Sequence, residues 1–213
     1  MEAYLDNSAT TRCCEEAAQL VVKLLTEDYG NPSSLHNKGV IAENYMNDAR
    51  KKIAKTLKVQ EKEICFTSGG TESNNLAIIG VAEENKRSGK HVITTSIEHP
   101  SVSATMAYLE EHGYEVTYLP VDAYGVISLD DLKAAIHMKK RLWITLFDQC
   151  PRFRDRLHRS DFIIYLHEGN QNGIRPDCRF QSYGKMRIYP AKMHVDLLSV
   201  SGHKIHGPKG SGF

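Results

Sequence analysis

Apolar residues recur every three to four positions between Thr11 and about Thr26, at Ala18, Val21, Val22 and Leu25, which predicts an amphipathic helix with Thr10 and Thr11 as caps. Gly30, Asn31 and Pro32 break the pattern, and Asn31 to Ser34, taken alone, reads as a plain turn. Ala42, Tyr45, Ala49, Ile53 and Leu57 then renew the spacing along a second helix. Glu63 to Thr67 is a short apolar run that predicts a strand, followed by Ser68-Gly69-Gly70-Thr71-Glu72 and a helix carrying Leu76, Ile79, Val81 and Ala82. His91 to Ile97 and Glu115 to Val121 predict two more strands, with a helix face of Val102, Met106 and Leu109 between them. Ser128 and Asp131 form a capping-box-like start for a helix through Leu132 to Ile136. Val195 to Val200 is the last clear strand. Strands alternating with helices predict an α/β fold, a mainly parallel sheet with helices on both faces.

Between His137 and about Phe180 the periodicity lapses. Arg152, Arg154, Arg156 and Arg159 crowd together, and only Phe162 to Leu166 reads as a strand. Trp143 lies beside Lys139, Lys140 and Arg141; basic residues near an aromatic suit RNA, but a solvated charged loop is the commoner meaning. The 213 residues fit one domain and the start of a second, and 41% apolar content allows a sizeable core. Twenty-seven Lys and Arg against 26 Asp and Glu leave a charge of +1, so neither nucleic acid nor an acidic membrane is expected as a partner. No apolar run approaches the ~20 residues of a membrane span, and Met1 opens onto a polar segment without an export signal's pattern. Five cysteines without a C-x-x-C pair predict neither disulfides nor a metal site, and a cytoplasmic setting. Cys65, inside the apolar run, is expected to be a buried small hydrophobe.

Candidate chemistry gathers at the ends of strands. Gly69-Gly70-Thr71 sits between a predicted strand and helix, where free N–H groups and the helix dipole attract an anion such as phosphate. Gly-Gly is common in ordinary turns, so this signal is weak alone. Ser201-Gly202-His203-Lys204 ends another strand, on the rim where α/β sheets assemble ligand sites. Ser201 and His203 can donate to phosphate oxygens, and the Lys204 amine can form a Schiff base with an aldehyde. Pyridoxal phosphate requires those two things. A lone lysine there would more often be a surface charge. His99, in Glu98-His99-Pro100, is expected on the same rim, where an imidazole can stack on a ring or move protons, although many such histidines only close turns.

Five motifs carry a resemblance to a known family. They are Leu5-Asp6-Asn7-Ser8-Ala9-Thr10-Thr11, Gly30-Asn31-Pro32-Ser33-Ser34-Leu35-His36, Phe66-Thr67-Ser68-Gly69-Gly70-Thr71-Glu72-Ser73-Asn74, Glu98-His99, and Ser199 through Gly210. Over Tyr4 to about Ile136 and Gln181 to Phe213 the chain resembles the pyridoxal-phosphate-dependent cysteine desulfurases, within the class V aminotransferase branch of fold type I. The resemblance implies a pyridoxal 5'-phosphate cofactor held covalently by Lys204, with Gly70, Thr71, Ser201 and His203 binding its phosphate and Gly202 also among the cofactor-binding residues. It makes His99 a stacking and proton-transfer residue and Gln181 the partner of the phenolic oxygen. Lys204 and His99 are thus the expected catalytic residues. The implied reaction takes sulfur from L-cysteine, leaving alanine and an enzyme-bound persulfide that a scaffold protein receives for iron–sulfur cluster assembly. A homodimer is implied if the fold survives.

The chain departs from the family pattern in places. Cys178 stands where the family has an aspartate for the pyridine nitrogen, with Asp177 one position away, and Asp148-Gln149-Cys150-Pro151-Arg152 replaces an Asn-Asn-Glu-x-Gly segment. The expected organisation is a partial large domain over 1–213, family-like at 1–136 and 181–213 and aberrant at 137–180, with the small C-terminal domain absent. Foreign residues at conserved spacing are what two compensating frame changes would leave. None of the five cysteines matches the family's persulfide nucleophile, so this chain is expected to be an inactive fragment. Two other readings remain: a selenocysteine lyase or another class V aminotransferase-like enzyme, and a non-enzymatic remnant or partner-binding fragment.

Overall fold

The computed structural model describes residues 3–7, 9–87, 89–137, 143–146, 161–167, 187–193 and 195–213. Helices α1 (Glu15–Thr26), α2 (Asn37–Leu57) and α3 (Gly70–Glu84) come first. Strand β1 (His91–Thr95), helix α4 (Pro100–Glu111), strand β2 (Glu115–Leu119) and helix α5 (Leu129–His137) follow. Strands β3 (Trp143–Leu146) and β4 (Asp161–His167), a short helix α6 (Pro190–Met193) and strand β5 (Leu197–Val200) complete the chain. The strands form one sheet in the order β2-β1-β3-β4-β5. β1 pairs in parallel with β2 and β3, whereas β4 is antiparallel to β3 and β5. Four strands therefore share a direction, and the one that opposes them lies in the interval of foreign composition.

Side-chain alternation divides the core between two faces. Val92 of β1 and Leu197 of β5 pack with Ile78 and Ala82 of α3 and Val102, Met106 and Leu109 of α4. Their neighbours in sequence point the other way, Ile93 to Leu132 and Ala135 of α5, and Leu198 to Ala54 and Leu57 of α2. The expected helices on both faces are thus present. Burial of Met106 and Leu109, each 0% exposed, stabilises the first face by about 1.5–3 kcal/mol per side chain. Ser128 starts α5 as expected, its Oγ accepting from Asp131 N at 3.2 Å.

Several local expectations are corrected. The first helix starts at Glu15, not near Thr11, because Thr11 is bonded instead to the end of the chain, and α1 buries none of its residues. Glu63 to Thr67 is not a strand. Gln60 and Glu63 close a capping box that makes Glu61–Glu63 a 3-10 turn, and only Thr67 reaches a ladder partner, bridging Gly212. Cys65 is exposed rather than buried. On α3 the buried stripe is Asn74, Ile78 and Ala82, four residues apart, while Leu76 is 54% exposed. No helix among the described residues is long and apolar enough to cross a membrane.

Candidate functional site

The start of α3 and the end of β5 meet across 131 residues of sequence. Gly70 N, the first N–H of α3, donates to Ser201 Oγ at 2.8 Å, and a Cβ on Gly70 would collide with that oxygen. Gly69, the N-cap, has φ 152° and ψ 180°, a conformation that strains any residue with a Cβ. The turn is braced from both sides. Glu72 accepts from Ser68 N and Oγ at 2.6 and 2.5 Å, bonds that hold its carboxyl below the usual range. Ser73 Oγ donates to Gly69 O at 3.1 Å and lies 2.6 Å from Thr67 Oγ1. First-turn N–H groups have no carbonyl one turn upstream, so this end of α3 can receive an anion.

Ser201 is buried and leads into a 3-10 turn, Gly202–Lys204. Gly202 is required there because a Cβ would strike Ser211 Oγ. The turn is fixed from below by the N-terminal arm. Thr11 N and Oγ1 both donate to His203 O at 2.8 Å, and Thr11 Oγ1 accepts from His206 N at 2.8 Å. Cys14 N donates to His206 O at 2.9 Å, and His203 Nδ1 lies 3.1 Å from Thr10 Oγ1. Sequence reasoning cast Thr10 and Thr11 as helix caps and missed this clamp, although both fall in the motif that runs from Leu5.

His99 caps α4, its Nδ1 accepting from Ser101 N at 3.1 Å. Partial desolvation first, and the nearby Lys204 ammonium second, hold its imidazole below its ordinary value. His203 is lowered for the same reasons, with Lys209 adding to the effect. Lys204 therefore acts electrostatically on both rings and favours the neutral form of each. The structure thus links Gly70, Thr71, Ser201, Gly202, His203, Lys204 and His99 into one neighbourhood. Gln181, Cys178, Asp177, the 148–152 segment and the basic residues at 139–141 and 152–159 lie outside the described residues.

A cleft of about 570 Å³ lies elsewhere, between β5 and the 63–67 segment, with Leu76, Ala77 and Gly80 of α3 along its wall. None of the described candidate cofactor residues lines it. Among the described residues, no three His, Cys, Asp or Glu are grouped to hold a metal ion. The site offers an anion cradle, a primary amine and two imidazoles.

Known proteins resemble this chain in sequence and in fold. The profile of the family described as Aminotransferase class-V matches residues 3–148 and 163–213, leaving a gap inside the interval of foreign composition. A protein of Methanosarcina thermophila named cysteine desulfurase IscS is 44% identical over 209 residues, covering 98% of this chain and 51% of its own length. A solved structure described as a NifS-like protein has a TM-score of 0.77 and 34% identity, covering all of this chain and 58% of that one. Another, SspA in complex with cysteine, has a TM-score of 0.76 and 30% identity, covering 99% of this chain and 60% of the other. The chain spans about half the length of the curated relatives it matches.

Proposed function

The chain belongs to the aminotransferase class-V family, and from that premise we propose that it is the cofactor-binding part of a pyridoxal 5'-phosphate-dependent cysteine desulfurase. The observation that carries the reading is the 2.8 Å hydrogen bond from Gly70 N to Ser201 Oγ. It brings the anion-receptive end of α3 to the turn that bears Lys204. The donors suit the cofactor: a phosphate on the first turn of α3 with Ser201 Oγ and His203 beside it, and an amine at Lys204 to hold the aldehyde end. When bound, pyridoxal phosphate supplies a carbonyl that captures amines and an electron sink for charge at the substrate carbon.

This chain's residues would do the rest. Gly70, Thr71, Ser201 and His203 anchor the phosphate, and Gly202 lets the turn close tightly enough to present Lys204. Lys204 Nζ would be the amine that holds the cofactor's aldehyde end. His99, whose imidazole is held below its ordinary value, would lie beside the ring and exchange protons there through Nε2. The substrate of this reading is L-cysteine, supported by the names of the relatives above, and the sulfur acceptor is a scaffold protein for iron–sulfur clusters. The assembled enzyme would be a cytoplasmic homodimer.

Adding pyridoxal phosphate to the 213-residue chain should produce a yellow band near ~420 nm that Lys204→Ala abolishes. No band in the unsubstituted chain would favour a non-enzymatic remnant.

A further inference from the structure

Two helices converge on one nitrogen of His99. Ser101 N donates to His99 Nδ1 at 3.1 Å, and Ser101 Oγ lies 2.9 Å from the same atom. Asn74 Nδ2, from α3, donates to Ser101 Oγ at 2.9 Å. A backbone N–H can only donate, so Nδ1 carries no proton in this arrangement. The Ser101 hydroxyl, accepting from Asn74, has its own hydrogen left for Nδ1.

Asn74 sits at 5% exposure on the buried stripe of α3, with its Oδ1 buried and lacking a partner among the described residues. Turning the amide over would aim the carbonyl at Ser101 and draw the hydroxyl hydrogen away from His99. The orphaned Oδ1 therefore accompanies the amide orientation that leaves the Ser101 hydroxyl free to donate to the ring nitrogen. His99 Nε2 has no hydrogen-bond partner among the described residues.

We propose that Asn74 and Ser101 are positioning residues that fix His99 as its Nε2–H tautomer, so that the ring presents a donor rather than an acceptor to whatever lies beside Lys204. Protonating Nδ1 would break the bond from Ser101 N and force the Ser101 hydroxyl to turn from donor to acceptor. The charged group acting on the ring is Lys204, whose ammonium opposes imidazolium formation; the preceding residue, Glu98, has a carboxylate that accepts from Thr95 Oγ1 at 2.6 Å. Asn74 is the uncharged neighbour from α3. The tautomer itself is a property of the chain's own atoms. Only its use in catalysis rests on the desulfurase reading, where His99 would begin each cycle able to give a proton and unable to take one at Nε2.

The test is long-range 15N–1H NMR of the 213-residue chain labelled at histidine, without cofactor, with His99→Gln assigning the signals. The neutral His99 ring should be almost entirely Nε2–H, titrating with a midpoint below ~6.5. Ser101→Ala, which removes one of the two donors to Nδ1, should raise that midpoint by about 0.5–1 unit, and Ser101→Thr should restore it. Asn74→Ala should move it in the same direction by less. An Nδ1–H or evenly mixed tautomer in the unsubstituted chain would overturn the proposal, whether or not the variants fold. So would an unmoved midpoint in a folded Ser101→Ala. A chain with the Nε2–H tautomer but no cofactor band would defeat the desulfurase reading and leave the relay standing; the opposite pair of results would defeat the relay alone.

Discussion

Helices α1 and α4 are both twelve residues long and both read as amphipathic, yet α4 buries Val102, Met106 and Leu109 completely while α1 buries nothing. α4 lies against α3 and β2, so its apolar stripe meets one on each neighbour. α1 leaves Val22 58% and Leu25 73% exposed. Its end of the chain is held by polar bonds, from Thr10, Thr11 and Cys14 to the turn that carries Lys204. Apolar spacing identifies the face that seeks cover; tertiary contact decides whether cover is there. The candidate site uses both regions differently, resting on the packed side through His99 and on the polar side through His203.

Met106→Ala should break this contrast most visibly, destabilising the chain by about 2–5 kcal/mol in urea unfolding because the methionine is wholly enclosed. A loss no greater than that of an α1 substitution would mean that α4 is not the structural anchor. Thr11→Val comes next. It removes one hydroxyl that both donates to His203 O and accepts from His206 N, and should cost about 1–3 kcal/mol. An undiminished unfolding midpoint would show that the arm is not attached through that hydroxyl.

Acid should act on both sides, through His99 on the packed one and His203 on the polar one. Folding lowers the affinity of His99 and His203 for protons, so the unfolded chain takes protons up first as pH falls through ~6.5. Stability should be level above about pH 7.5 and decline below ~6.5 towards the lowered folded values, and replacing both residues by glutamine should flatten that slope. A level profile in the unsubstituted chain would contradict the shifts. The smallest effect is expected for Leu25→Ala on α1, within about 0.5 kcal/mol of the parent, since its side chain is already in water.

The parts of the fold that were legible in sequence are those decided locally or by strong periodicity. Val102, Met106 and Leu109 announced the face of α4, and Ser128 announced the start of α5. The Gly70 turn and the Ser201 to Lys204 turn were both marked by residue type, but only tertiary structure joins them. Glu63 to Thr67 looked like a strand because its apolar residues are contiguous, yet the capping box beginning at Gln60 turns the chain before a ladder can form. Leu76 was chosen over Ile78 because several helical registers fit a short apolar segment equally well. Thr11, Asn74 and Ser101 act on residues from other elements, 192 positions away for Thr11 and 27 for the Asn74–Ser101 pair, and local pattern carries no signal for that.

Borohydride reduction of the chain mixed with pyridoxal phosphate, followed by peptide mass spectrometry, tests most directly whether the donors at α3 and the amine beyond β5 serve one ligand. The cofactor's mass should appear on the peptide containing Lys204 and should fall sharply in Ser201→Ala, which lacks the hydroxyl proposed to bind the phosphate. Label spread over exposed lysines such as Lys51 and Lys55, with Lys204 unmodified or indifferent to Ser201, would contradict the account.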